Sequence, residues 1–179
     1  YPLVVDPAGT GSANSAKVDI ATESRVASSR EVAQNAAKSL IANGDTLSEA
    51  QLTSRLMNSV KVTGTSQTAV LDIEVTRPNG TDAARYANAM ANAYLQVRSE
   101  SLKSSVDSAL HQIDEQISAL EGDNGRAGLL SQLQERRAQI QLTSTTGGRV
   151  MSEAQVPSSS SALGPVKMGI VGAVAGLLI

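Results

Sequence analysis

The residues that could do chemistry are few, and they lie on one predicted helix. His111 is the single histidine, and Asp107 and Glu115 stand four residues before and after it. A metal or catalytic site there would need further ligands at suitable spacing, and none is present. Asp114 and Glu115 adjoin, which suggests paired-carboxylate catalysis, but the chain has no tryptophan to stack a sugar. We therefore interpret these residues as charges on a solvated helix and predict no catalytic residue, no metal site and no cofactor.

The composition excludes several classes of protein. The chain of 179 residues is long enough for one domain with a core, and it has no cysteine, which excludes disulfides and thiol catalysis. Its 15 lysines and arginines face 17 aspartates and glutamates, a formal net charge of -2 that argues against nucleic-acid binding. Phenylalanine and tryptophan are absent, so the core must consist mainly of alanine and aliphatic residues. Tyr86 and Tyr94 lie eight residues apart on one helix face and are expected in that core.

The dominant predicted element is a helix that begins at Thr81-Asp82 and runs without glycine or proline to Glu121. Such a helix is about 60 Å long. Its second half has an apolar residue every three or four positions, at 102, 106, 110, 113, 117 and 120. A second apolar-striped helix over 126–142 has nearly the same length as this half. Together they predict an antiparallel helical hairpin over about 81–142.

The remaining residues predict a small sheet. Residues 69–76 alternate apolar and polar side chains, which is typical of a half-buried strand. Shorter strands are expected over 1–6, 60–62 and 149–156, and we expect 69–76 and 149–156 to pair within one sheet. The fold class is therefore α+β: a small mixed sheet base with a long protruding antiparallel helical hairpin, followed by a transmembrane helix.

Two further helices are expected in the first third of the chain. One runs from Asp19 to about Ala42, where Asn43 and Gly44 end it. The other is short and follows Thr46, which forms a capping box with Glu49 in this interpretation.

The last residues predict the start of a membrane helix. Nothing charged or strongly polar occurs from Met168 to Ile179, and a spanning helix needs about 20 apolar residues. We expect residues 166–179 to begin a truncated transmembrane helix, after a linker over 158–165. Gly172 and Gly176 have the spacing at which small residues let membrane helices pack closely. The alternative is a C-terminal core helix, which its glycines would weaken in water by up to ~1 kcal/mol each.

Three stretches, in this order, resemble Wzz-type polysaccharide chain-length determinants. They are DIATESRVASSREVA at 19–33, DAARYANAMANAYLQVR at 82–98, and Ala154-Gln155-Val156-Pro157 before the apolar terminus. Proteins of this family are polysaccharide co-polymerases, and they are related to the membrane modulators of bacterial tyrosine kinases. The chain departs from the family's usual run of prolines before the membrane, because a serine-rich link separates Pro157 from Pro165.

The resemblance implies a non-catalytic oligomeric membrane scaffold that regulates chain length in exopolysaccharide, capsule or O-antigen synthesis and export. Residues 1–157 would form the extracytoplasmic domain at the bacterial inner or plasma membrane. The implied partners are other copies in a ring, the polysaccharide polymerase, the growing glycan and membrane lipid. The alternative is the modulator region of a bacterial tyrosine kinase acting in exopolysaccharide synthesis, with the kinase domain beyond Ile179.

We expect charges on neighbouring hairpins to set the register of such a ring. Acidic residues of the long helix would meet arginines of the next protomer's return helix; the acidic residues are Asp107, Asp114 and Glu115, and the arginines are Arg126, Arg136 and Arg137. Exposed ion pairs contribute only about 0.2–1 kcal/mol each. Apolar contacts and membrane anchoring would therefore supply most of the affinity.

Overall fold

The computed structural model describes residues 3–6, 19–65, 70–120, 126–142, 148–156, 170–171 and 173–174. This part of the chain forms a mixed α+β fold with five helices and six strands. The chain divides into two compact units, one formed by residues 1–98 and 147–179 and the other by residues 99–146.

The first unit contains the sheet. Its strands are β1 (Leu3–Asp6), β2 (Val60–Thr65), β3 (Val70–Thr76), β4 (Arg149–Ser152), β5 (Ile170–Val171) and β6 (Ala173–Val174). The order β2-β3-β1-β4 is antiparallel throughout, β5 pairs antiparallel with β3, and β6 pairs parallel with β1. Residues 69–76 and 149–156 were expected to pair within one sheet; both contribute a strand to the same sheet, but the two strands do not pair with each other, because β1 lies between β3 and β4. Strand β4 also ends earlier than expected, at Ser152 rather than at Val156.

Strand β3 shows the predicted alternation. Three of its side chains are fully buried on the face that packs on the helices, and these are Leu71, Ile73 and Val75. The intervening Asp72 and Glu74 are partly exposed on the opposite face. The period-two pattern of the sequence thus assigns each side chain to the correct face.

Helices α1 (Ile20–Ala27) and α2 (Arg30–Ala42) replace the single helix expected over residues 19–42. The helix breaks because two adjacent serines bond to the backbone. Ser28 Oγ donates to the Ser24 carbonyl at 2.8 Å, and Ser29 Oγ accepts from the Val32 amide as the N-cap of α2. Serine competes with helical hydrogen bonding in this way, so the apolar spacing alone does not reveal the break.

Helix α3 (Glu49–Ser59) begins with a capping box, but not the expected one. Ser48 Oγ accepts from the Gln51 amide, and the Gln51 side chain accepts from the Ser48 amide at 3.1 Å. Thr46 is excluded from the box because Asp45 Oδ1 accepts from the Leu47 amide, which makes a turn of this segment.

Helices α4 (Gly80–Leu120) and α5 (Ala127–Gln141) closely match the expected ranges. The part of α4 within the first unit is buried on several sides, at Ala83, Ala84, Tyr86, Ala87, Ala89, Met90, Ala91, Ala93, Tyr94 and Val97. The many alanines allow neighbouring elements to approach the helix backbone closely. Burial of Tyr86 and Tyr94 confirms their expected place in the core.

The predicted membrane segment is mostly outside the described residues, as are the linker over 158–165, Gly172 and Gly176. Residues 170–171 and 173–174 form the short strands β5 and β6, where the sequence predicts a helix. Within the described ranges, no helix is long and apolar enough to cross a membrane.

Candidate functional site

The second unit has a small core. Within its described residues, only Ile113 on α4 and Leu133 on α5 are buried. The other residues of the predicted α4 stripe are partly exposed, at 102, 106, 110, 117 and 120. Leu129 on α5 is 47% exposed, and Leu142, the residue that follows α5, is 86% exposed. Full burial of such a side chain stabilises by about 1.5–3 kcal/mol, so further apolar stabilisation is available to the hairpin at Leu129 and Leu142 and, in smaller part, along the incompletely covered stripe of α4.

One ion pair joins the two helices of this hairpin. Arg137 Nε donates to Asp114 Oδ1 at 2.6 Å, and the two side chains remain 40% and 47% exposed. The sequence predicts that these two residues contact neighbouring protomers, whereas the structure pairs them with each other within one chain. The pair joins α5 to α4 at one point, and its exposure limits its contribution to about 1 kcal/mol or less.

The other acidic residues of the predicted interface are more exposed. His111 Nε2 lies 3.4 Å from Glu115 Oε1 one helical turn away, with side chains 76% and 67% exposed. Asp107 lines a shallow depression of about 430 Å³ together with Lys103 and His111. No group of three or more histidine, aspartate or glutamate side chains that could hold a metal occurs among the described residues.

The remaining arginines lie along α5. Arg136 is exposed, whereas the next residue, Arg137, turns toward α4 and is partly covered. Successive helical residues point about 100° apart, which explains why only one of the two adjacent arginines meets Asp114. Arg126 is exposed at the N-cap position of α5. Of the six charged residues predicted at the interface, the structure therefore brings only Asp114 and Arg137 together by a described ion pair.

A buried polar cluster in the first unit was not predicted from the sequence. Glu23 on α1 accepts two hydrogen bonds from α4: Tyr94 Oη donates to Oε2 at 2.6 Å and Arg98 Nε donates to Oε1 at 3.0 Å. Tyr94 is fully buried, and the Arg98 and Glu23 side chains are only 12% and 18% exposed. Hydrogen bonds to an ionised carboxylate are stronger than neutral ones, so this cluster fixes α1 on α4.

A second contact fixes the segment after β4 on the same helix. The Asn88 side chain donates from Nδ2 to the Ala154 carbonyl at 3.2 Å and accepts at Oδ1 from the Ala154 amide at 2.9 Å. The amide side chain thereby satisfies both backbone groups of a buried residue. All three stretches that carry the family resemblance therefore meet on α4, through Glu23, Asn88 and Ala154.

The outer face of the sheet carries a poorly solvated carboxylate. Burial raises the pKa of Asp72 above its ordinary range, and the nearby negative charge of Glu74 raises it further. Asp72 Oδ1 is buried, and no described residue forms a hydrogen bond with it. An ionised carboxylate is unfavourable in such surroundings. The charge of Asp72 therefore destabilises the folded chain at neutral pH.

The first unit also has a basic depression of about 680 Å³, which the sequence analysis did not find. Its cations come from three separate elements: Arg55 on α3, Lys61 on β2 and Arg77 after β3. The other lining residues are Gln51, Ser54, Asn58, Ser59, Val60 and Thr76. No aspartate or glutamate is among the described residues that line the depression, so its electrostatic character favours an anion.

Comparison with known proteins finds no family model, characterised relative or solved structure that matches this chain. We therefore infer function from the contacts of the described residues and from the sequence resemblance to Wzz-type proteins.

Proposed function

We propose that this chain is a non-catalytic scaffold that assembles with copies of itself and regulates the chain length of a bacterial polysaccharide during its synthesis and export. The observation that carries the proposal is the sparse core of the hairpin. Ile113 and Leu133 are the buried side chains in the described part of the second unit, although a continuous apolar stripe runs along α4. Neighbouring copies would cover this stripe, and head-to-tail contacts between identical hairpins would close a ring.

The contacts of the first unit support the family on which this function depends. Three short stretches resemble Wzz-type proteins, and chance could produce each of them singly. In the fold they are joined by the Glu23–Tyr94 hydrogen bond and by the paired Asn88–Ala154 hydrogen bonds. Their proximity on α4 is our reason for interpreting the three stretches together.

Membrane attachment through residues 166–179 is part of the proposal and rests on their composition. In lipid, every backbone amide and carbonyl must be satisfied within the segment, which favours a helix over short strands. The strands β5 and β6 would then give way to the helix. Residues 1–157 would lie outside the cytoplasm, where the assembled hairpins can act on the polymerase and on the growing glycan.

The function can be tested by deleting the gene in its host and resolving the polysaccharide by length on a gel. We expect synthesis to continue while the preferred chain length is lost, and complementation to restore it. An unchanged length distribution in the deletion strain would contradict the proposal. Loss of protein tyrosine phosphorylation, with an unaltered length distribution, would instead favour the kinase-modulator alternative.

A further inference from the structure

The basic depression concentrates positive charge in a chain whose overall charge is negative. The formal net charge is -2, so the chain as a whole does not attract anions. Arg55, Lys61 and Arg77 nevertheless line a single depression. None of these three side chains forms an ion pair with a carboxylate in the part of the chain that the structure describes.

Arg77 is held in place by its neighbour on α4. Its guanidinium carbon lies 5.1 Å from the centroid of the Tyr86 ring, and Tyr86 is 3% exposed. This stacking orients the guanidinium before any ligand arrives. Arg77 Nε is buried without a hydrogen-bond partner among the described residues, and a buried donor of this kind is unfavourable until an acceptor reaches it.

Two neighbouring features reduce the positive charge without cancelling it. Glu74 stands opposite Lys61 in the β2–β3 register, and the carboxyl end of α3 contributes about half a negative charge. Ser59 Oγ donates to the Arg55 carbonyl at 2.7 Å, one helical turn earlier, so this hydroxyl hydrogen is already used within α3. Three full positive charges therefore exceed the opposing charge, and serine, threonine and amide side chains supply further hydrogen-bond donors.

We propose that this depression binds a phosphate group. Guanidinium and ammonium groups surrounded by hydroxyl donors are the side chains that recognise phosphate. The phosphate can belong to an anionic lipid headgroup or be free in solution. A lipid source fits the membrane attachment proposed above, on which this choice of source rests, because a chain held at a membrane lies beside phosphate headgroups. The site does not depend on the assembly proposed above, since it is built within residues 51–77 of one chain.

The test uses the whole chain of 179 residues in two binding measurements. One measures cosedimentation with vesicles of phosphatidylcholine alone or mixed with phosphatidylglycerol. The other is calorimetric titration with inorganic phosphate. The variant is Arg55→Gln with Lys61→Gln, both exposed side chains whose replacement spares the fold. The control is Arg25→Gln with Lys38→Gln, which removes the same charge from exposed positions on α1 and α2.

We expect binding to require phosphatidylglycerol. The Arg55/Lys61 variant should weaken this binding by about 25-fold, at roughly fivefold for each of the two surface cations removed. The control should bind like the unchanged chain. Binding of inorganic phosphate alone, with the same loss in the variant, would support the site and assign it to free phosphate. Absence of binding in both measurements, or an equal loss in variant and control, would overturn the proposal. None of these binding results would bear on oligomer formation, which is tested separately.

Discussion

The phenolic oxygen of Tyr94 lies 2.6 Å from Glu23 Oε2 and donates a hydrogen bond to it across 71 residues of sequence. Arg98, one helical turn further along α4, donates to the other oxygen of the same carboxylate. This cluster attaches α1 to the long helix in a part of α4 that is otherwise packed with alanines. It gives the first unit a specific polar contact where its core has few large side chains.

Replacing Tyr94 by phenylalanine should destabilise the first unit by about 1.5–3 kcal/mol, the range for a hydrogen bond to a charged group. The urea midpoint of unfolding, followed by circular dichroism, measures this change. Tyr86→Phe is the matched control, because Tyr86 is also buried and its ring contact with Arg77 survives the loss of the hydroxyl. Equal losses of stability in the two variants would show that the Glu23 hydrogen bond has no special role.

Gly64 on β2 has no room for a side chain. An added Cβ would collide with Ile20 Cγ2 and lie 2.9 Å from Ser24 Oγ and 3.1 Å from Leu71 Cδ2. We expect Gly64→Ala to destabilise the protein by about 1–3 kcal/mol, since α1 must shift away from the sheet. Thermal unfolding measures the effect.

Gly128 on α5, unlike Gly64, has room for a side chain. A Cβ there meets nothing within 4 Å, so Gly128→Ala should stabilise the helix by up to about 1 kcal/mol. A neutral Gly64→Ala variant would show that α1 does not pack on β2 as closely as the structure has it.

The raised pKa of Asp72 makes stability depend on pH. The ordinary pKa of an aspartate is 3.8, and the pKa of Asp72 in the folded chain is higher. As the pH rises between these two values, the unfolded chain loses the proton of this carboxyl while the folded chain keeps it. Stability therefore falls across that window and stays lower above it. Asp72→Asn should be more stable than the unchanged chain at pH 7 and lose that advantage below about pH 3.8.

Urea unfolding at pH 7 and pH 3 measures this difference. Asp107→Asn, at an exposed position of α4, serves as the control and should change stability little at either pH. If the advantage of Asp72→Asn is the same at both pH values, burial of the ionised carboxylate is not its cause.

The sequence predicted those elements whose signal is local. The uninterrupted run without glycine or proline gave α4 almost to the residue, and alternation gave the buried face of β3. Both signals arise within one element, from helical or strand periodicity. The break at Ser28-Ser29 was missed because side-chain hydrogen bonds to the backbone do not alter the apolar spacing.

Features that join distant segments were not predictable from spacing. Glu23 meets residues 71 and 75 positions away, and the basic depression collects its cations from α3, β2 and the residue after β3. The insertion of β1 between β3 and β4 is a matter of topology, which the pattern of either strand leaves open. The interface charges illustrate the same difficulty, since the sequence shows that Asp114 and Arg137 are complementary but not whether they pair within one chain.

Arg137 pairs with Asp114, whereas the adjacent Arg136 lies outside that pair, so we expect the two arginines to have different roles. Arg137→Glu should break the intrachain pair, place two negative charges together, and lower the stability of the hairpin by about 0.5–1 kcal/mol. Arg136→Glu changes an exposed residue outside that pair, so it should leave unfolding unaltered. If Arg136 sets register between copies, its reversal should shift glycan length in cells without abolishing synthesis.

Glycan length on gels, compared with the urea midpoint of the purified variants, distinguishes the two effects. Should Arg136→Glu leave the length distribution unchanged, charge at this position does not set the register of an assembly.

The proposed assembly has copies of this chain cover the apolar surface that each hairpin leaves partly exposed along α4 and at Leu129 and Leu142. Its most direct test is the mass of the full-length protein extracted from membranes in mild detergent, measured by light scattering across a range of protein concentrations. We predict a closed assembly of several copies, and its dissociation when Leu110 and Ile117, both partly exposed on α4, are replaced by serine. A monomer at every concentration would contradict the account.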